Sequence, residues 1–279
     1  MRLVTYEAGA GSRVGELVGD RVVDLGFEGD MVDFIAAGAP TGERREIEDA
    51  RLLAPLRPRS LRDFLAFEGH LKAALSRFGR PIPDEWYEVP AYYKGMPDTV
   101  IGPEDEIPWP GWIDHLDHEL ELAAVVGREA RDVAAGDADG CIFGFTIWND
   151  VSARDVQARE LPVGMGPGKA KDWDGSNVLG PCLVTADELD ASNLAMRVRV
   201  NGELWGEDSS ASMHHGFADM IAYASRSQTL RPGEVLGSGT ATGGSGLELD
   251  RRLSPGDLVE LEIEGIGVLR NRIGSKGAR

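Results

Sequence analysis

The run Leu-Asp-His-Glu-Leu-Glu-Leu-Ala-Ala-Val-Val-Gly at 116–127 constrains this chain most. It ends in β-branched residues before a glycine, which predicts a strand. Side chains on a strand alternate between faces. Glu119 and Glu121 are then expected on one face, with Leu120 and Leu122 directed into a core on the other. Two carboxylates side by side repel each other, and a cation between them relieves the repulsion. The pair alone admits two readings: half of an oxygen-ligand metal site, or a solvated strand face.

Acidic residues recur at other strand ends. Leu61–Phe67 alternates, with Asp63, Leu65 and Phe67 on one side. His70 follows at a strand-to-helix junction, and Leu71, Ala74, Leu75 and Phe78 repeat at helical spacing until Gly79 and Pro81. The apolar run 141–148 predicts a second buried strand ending in Asn149-Asp150. Ser152 and Asp155 stand three apart like a capping box, a structural role that leaves Asp150 free as a ligand. The glycine-rich stretch 162–181 carries Lys169 and Lys171, a cationic loop in an acidic chain. It lacks the phosphate-loop pattern, so no nucleotide is implied. The loop Gly-Ser-Gly-Thr-Ala-Thr-Gly-Gly-Ser-Gly at 237–246 offers backbone N–H groups to an oxyanion, with Glu248 expected on the next strand.

The remaining segments read as scaffold. Residues 2–25 predict a small antiparallel β unit, and Asp30 caps a helix bearing Met31, Val32, Phe34 and Ile35. The polar segment 41–49 predicts a short helix or a loop. Ala-Pro-Leu-Arg-Pro-Arg-Ser at 54–60 reads as a linker, dividing the chain into a unit at 1–58 and a larger one at 59–279. Tyr93 and Lys94 stand out in the aromatic-rich loop 81–110. Asn201-Gly202 predicts a type I′ hairpin. His214 and His215 are expected to face solvent, ahead of a helix with Phe217, Met220, Ile221 and Ala224 inward. Val259, Leu261 and Ile263 alternate with outward glutamates.

With 279 residues the chain can bury a sizeable core, and its net charge of −18 repels nucleic acid and anionic membranes. Cys141 and Cys182 lack metal or redox spacing and are expected as buried free thiols. No run reaches the length of a membrane span, and the N-terminus shows no signal-peptide core, so a cytoplasmic setting is expected.

Taken in order, several segments resemble fumarylacetoacetate hydrolase and its superfamily over about 61–274. They are Arg-Asp-Phe-Leu-Ala-Phe-Glu-Gly-His (62–70), Leu-Asp-His-Glu-Leu-Glu (116–121), Asn-Asp-Val-Ser-Ala-Arg-Asp-Val-Gln (149–157), Lys-Asp-Trp (171–173), Leu-Gly-Pro (179–181) and Gly-Ser-Gly-Thr (237–240). The resemblance implies an α+β, β-rich roll of mixed sheets with a small N-terminal α/β unit, usually a homodimer. It implies metal ligation by Asp63, Glu119, Glu121 and Asp150, a catalytic His70 oriented by Glu248, and a catalytic Lys171. Substrate contacts would fall on Tyr93, Gln157, Lys171 and Thr240. Leu161 stands where fumarylacetoacetate hydrolase has a second binding tyrosine, and Ala73 where many relatives have a glutamate. An all-oxygen ligand set suits Mg²⁺, Mn²⁺ or Ca²⁺. The expected activity is hydrolysis of a C–C bond in an acylpyruvate-type 2-oxo acid or β-diketone, as in the breakdown of aromatic compounds. The alternative is a 2-oxo-acid decarboxylase, hydratase or isomerase using the same site. A structural Ca²⁺ domain is a third reading, in which His70 and Lys171 would have no task.

Overall fold

The computed structural model describes residues 1–37, 42–77 and 79–278. Within them a 12-stranded sheet forms the spine. Its main path runs Arg45–Ile47, Arg21–Asp24, Gly11–Val18, Arg2–Ala8, Asn177–Thr185, Ile142–Asp150, Leu120–Val126, Glu234–Gly237, Ser60–Phe64 and Tyr92–Gly95. Neighbours on this path are antiparallel except for Glu234–Gly237 beside Ser60–Phe64. A five-stranded sheet, containing Ala195–Val200, Leu258–Ile263 and Gly267–Lys276, packs on the middle of the first. The fold is thus β-rich with mixed sheets, as expected.

The core between the sheets explains the strand pattern. Leu120, Leu122, Ala124 and Val126 join one apolar cluster with Ile147, Val198 and Leu261, while Ala123 and Val125 join a second with Leu61, Trp148 and Val235. A strand buried on both faces reads as a continuous apolar run. The period of two then fixes the acids. Asp63 lies two residues beyond Leu61, Asp150 two beyond Trp148, and Glu121 two before Ala123. All three project from the same face of the sheet. Tyr93 is paired directly with Asp63, so it shares that face.

Several expectations are met locally. The helix Met31–Ala37 buries Met31, Val32, Phe34 and Ile35, with Asp30 accepting the Asp33 N–H at 2.9 Å. Asn201 and Gly202 both have positive φ, as a type I′ turn requires. Both cysteines are buried free thiols. Phe217, Met220, Ile221 and Ala224 are buried on the helix Phe217–Ala224.

Others are corrected. Arg45–Ile47 is a strand rather than a helix or loop, because it completes the edge beside Arg21–Asp24. His70 sits in the helix Glu68–Ser76, whose first turn begins two residues earlier than expected; Phe78 lies outside the described residues. His215 is buried, its Nε2 2.9 Å from the Trp86 carbonyl. The Ser152–Asp155 capping box does not form. Ser152 donates to the Asp150 carbonyl, and Asp155 accepts the N–H groups of Asp114 and His115. Glu248 lies in a run of turns at 246–250, not on a strand. The N-terminal strands are hydrogen-bonded into the main sheet through Leu3 opposite Leu183. Residues 54–59 carry no helix or strand, yet Leu56 is buried. Among the described residues no helix is long and apolar enough to cross a membrane.

Candidate active site

Three strand ends bring Asp63, Glu121 and Asp150 together, each offering a carboxylate oxygen within 4.8 Å of the others. All three are buried. Gly237 makes the room. It is paired with Asp63 on one side and Ala123 on the other, and a Cβ there would sit 2.5 Å from Glu121 Oε2. Asp63 Oδ1, both Glu121 oxygens and Asp150 Oδ1 have no hydrogen-bond partner among the described residues. Leaving such groups unmatched is costly, since each buried ion loses several kcal/mol of hydration.

Burial, reinforced by the mutual charge of the three, raises their carboxyls. Asp63 is pushed well above the usual carboxylate range by burial and then by Asp150. Glu121 is pushed up likewise by burial, Asp63 and Asp150. Asp150 is held to about 6, because Lys171 and Tyr93 partly offset its burial. The Tyr93 hydroxyl donates to Asp150 Oδ2 at 2.7 Å. These are hard oxygen donors with open lone pairs, and no sulfur or imidazole belongs to the triad. The residues therefore fit a divalent cation of the Mg²⁺, Mn²⁺ or Ca²⁺ type.

Glu119 is placed differently from Glu121. The strand ends at Asp117 and resumes at Leu120, so Glu119 lies between, bridged to Ser245. One oxygen is 2.6 Å from Arg154 Nη2 and the other 2.6 Å from Lys171 Nζ. Burial opposes its ionisation, but these two cations overcome it and hold the carboxyl below its ordinary range. Lys171 also contacts Asp150, so one ammonium links Glu119 to the triad. Burial would lower Lys171, yet Asp150 and Glu119 keep it above the usual lysine value.

His70 is buried, with Nδ1 2.9 Å from Glu248 Oε2. The contact lies off the line of the ring N–H. Glu248 is itself fixed by the Gly243 N–H at 3.0 Å and the Ser245 hydroxyl at 2.9 Å. Gly69 packs on Thr242 so closely that a Cβ would lie 2.5 Å from its side chain. The helix bearing His70 is thereby seated on the glycine-rich loop. Thr240 is buried in that loop. Gln157 accepts from Arg154 Nη1 at 3.0 Å, while Leu161 is exposed.

Two residues escaped the reading of the sequence. Arg154 is a buried guanidinium that spans Asp117 and Glu119, and Asp117 is fully buried. Arg154 sits in the first turn of the helix Arg154–Glu160, where an arginine ordinarily faces water, and no periodicity singled it out.

A mixed-sheet fold with a buried carboxylate triad able to hold a metal ion, a His–Glu pair and an inward lysine defines a class of candidate enzyme site. The family model described as fumarylacetoacetate (FAA) hydrolase C-terminal matches residues 60–274, and one described as Rv2993c-like, N-terminal matches 1–55. The chain belongs to the fumarylacetoacetate hydrolase family. It is 36% identical to oxaloacetate tautomerase FAHD2A of Homo sapiens, over 69% of this chain and 60% of that protein. The match therefore spans less than two thirds of the human protein. Among solved structures, 5-carboxymethyl-2-hydroxymuconate delta-isomerase from Mycobacterium smegmatis is 29% identical, with a TM-score of 0.81 over 99% of this chain and 100% of that one. Fumarylacetoacetate hydrolase from Exiguobacterium antarcticum is 27% identical, with a TM-score of 0.83 over 100% of both.

Proposed function

We propose that this chain is a divalent-metal-dependent enzyme of small 2-oxo acids and β-dicarbonyl compounds. It shifts a proton at the carbon next to the oxo group, so that its first activity is keto–enol or double-bond isomerisation. The observation that carries this is the buried His70–Glu248 contact, in which the His70 ring interacts with the charge of Glu119, together with a triad of carboxylates with open lone pairs. The relatives named as a tautomerase and an isomerase support it.

Asp63, Glu121 and Asp150 would hold the cation, with Glu119 connected to them through Lys171. When bound, Mg²⁺, Mn²⁺ or Ca²⁺ supplies Lewis-acid polarisation of an oxo acid. A carboxylate only accepts, so Glu248 requires the proton of His70 on Nδ1 and leaves Nε2 as the base. Nε2 takes a proton from the substrate carbon, and the same ring returns it to oxygen or to another carbon. Lys171 stays charged and stabilises negative charge growing beside it. Tyr93, Gln157 and Thr240 are the proposed substrate contacts. Decarboxylation would break a C–C bond of the keto form and leave an enolate, with CO₂ as the other product, and hydration would add water across a double bond of the enol; both would draw on the same charge-stabilising groups.

A second reading is C–C hydrolysis of an acylpyruvate-type substrate. It is favoured by the doubly anchored Glu248, which equips His70 to take a proton from water. The water oxygen bonds to the remote carbonyl, the C–C bond breaks, and the leaving carbon takes up the proton. The test is a panel with Mg²⁺ or Mn²⁺: ultraviolet-monitored enol–keto interconversion of oxaloacetate, and pyruvate release from acylpyruvates. Enol–keto turnover without pyruvate release supports isomerisation, and pyruvate release supports hydrolysis. In either case His70→Gln is expected to remove about 10²–10⁴-fold of the rate. No turnover of any member would refute both readings. We further propose a cytoplasmic homodimer, which sedimentation of the purified protein and fractionation of its source cells would test. The division at residue 58 is likewise a proposal, for limited proteolysis to examine.

A further inference from the structure

Asp117 touches none of the proposed substrate contacts, yet it is 0% exposed and its carboxylate is saturated. Oδ1 accepts the N–H groups of Gly246 at 2.9 Å and His118 at 3.1 Å. Oδ2 accepts the Leu247 N–H at 3.0 Å and Arg154 Nε at 2.8 Å. Gly246 is needed for this approach, because a Cβ there would lie 2.7 Å from Oδ1. Leu247 is the residue next to Glu248, and Arg154 goes on to Glu119. One side chain thus grips the loop that carries Glu248 and the cation that continues to Lys171.

We propose that Asp117 is a positioning residue that sets the His70–Glu248 pair in register with the Arg154–Glu119–Lys171 chain. Its chemistry makes the role separable from shape. In Asp117→Asn the side chain is nearly isosteric, but whichever way the amide turns, its NH₂ faces two N–H donors. One of the Gly246 and Leu247 bonds is lost in either orientation. The loop that carries Glu248 then loses one of its two backbone bonds to residue 117, so Glu248 can shift with Gly243 and Ser245, while the carboxylate triad, which Asp117 does not touch, is left in place.

The kinetic arm of the test rests on the function proposed above; the spectroscopic arm does not. Asp117→Asn is expected to lower kcat about 10–100-fold, with KM and Mn²⁺ affinity within about threefold of wild type. In a Glu248→Gln background the same substitution should cost under about threefold more, because both act through one pair. Multiplying penalties, or a wild-type kcat in Asp117→Asn, would overturn the assignment. If Asp117→Asn fails to fold, Gly246→Ala disturbs the same anchor from the loop side and is read by the same criteria. If the wild-type protein turns over none of the proposed substrates, ¹⁵N-histidine NMR still decides, with His70 assigned by His70→Gln. The wild type should show His70 as a single Nδ1–H tautomer, and the anchor variant a mixture of tautomers. An unchanged tautomer in the folded variant would overturn the proposal.

Discussion

Protons should compete with the cation for the triad, and the strength of that competition follows from the structure. Asp150 titrates at about 6, and Asp63 and Glu121 are pushed well above the ordinary carboxylate range, chiefly by burial and mutual repulsion. A carboxyl titrating near 6 is roughly 90% protonated at about pH 5 and almost wholly ionised at about pH 8. Displacing that proton alone weakens binding about tenfold at about pH 5, or about 1.4 kcal/mol. Asp63 and Glu121 add to this, so tenfold is a lower bound. The sign for the metal-free protein follows from linkage. Groups whose folded pKa is raised stabilise the fold when protonated, and that contribution is lost as pH rises from their unfolded values through their folded ones. His115 and His118, lowered mainly by burial, act oppositely and lose stability on acidification towards their folded values. They do not belong to the triad, so comparing metal-saturated with metal-free protein cancels them to first order. The assay is Mn²⁺ titration by calorimetry, with paired urea melts with and without Mn²⁺. Affinity and metal-induced stabilisation should both be at least about tenfold, or about 1.4 kcal/mol, greater at about pH 8 than at about pH 5. Affinity independent of pH, or stronger in acid, would refute the reasoning.

Three further outcomes follow. Gly237→Ala inserts a Cβ 2.5 Å from Glu121 Oε2 and 2.6 Å from the Trp148 ring, and should cost about 1–3 kcal/mol in urea melts while weakening Mn²⁺ binding. Lys171→Met strips Glu119 and Asp150 of their shared cation and should destabilise the metal-free protein by about 3–5 kcal/mol, measured in EDTA. Trp86→Phe removes the 2.7 Å bond from Nε1 to the Leu65 carbonyl, just past the strand bearing Asp63. It should cost about 1–3 kcal/mol in melts yet leave Mn²⁺ affinity within about threefold.

What could be read from the chain was what local periodicity controls. Alternation ties Asp63 to the face of Leu61, Glu121 to that of Ala123 and Asp150 to that of Trp148; that these three core residues share one cluster, and so bring the acids together, is set by the strand order. What alternation does not reveal is that the Glu119 carboxylate is engaged by Arg154 and Lys171, cations from elsewhere in the chain, while both Glu121 oxygens stay open. Arg154 and Asp117 stayed hidden for a related reason. Their meaning is a contact across 37 residues of sequence, which spacing within one element does not encode. The Ser152–Asp155 pair shows the reverse error: a local motif was available, but Asp155 is drawn instead to the 114–115 backbone. The pairing of Leu3 with Leu183 was equally out of reach, since edge strands choose partners by tertiary fit.

The most direct test is anomalous diffraction from a crystal of the protein soaked in Mn²⁺ at about pH 8, where protons compete less with the cation than in acid. A single strong Mn²⁺ peak is expected, bonded to oxygens of Asp63, Glu121 and Asp150. No peak at the triad, or Mn²⁺ held only by surface carboxylates, would contradict it.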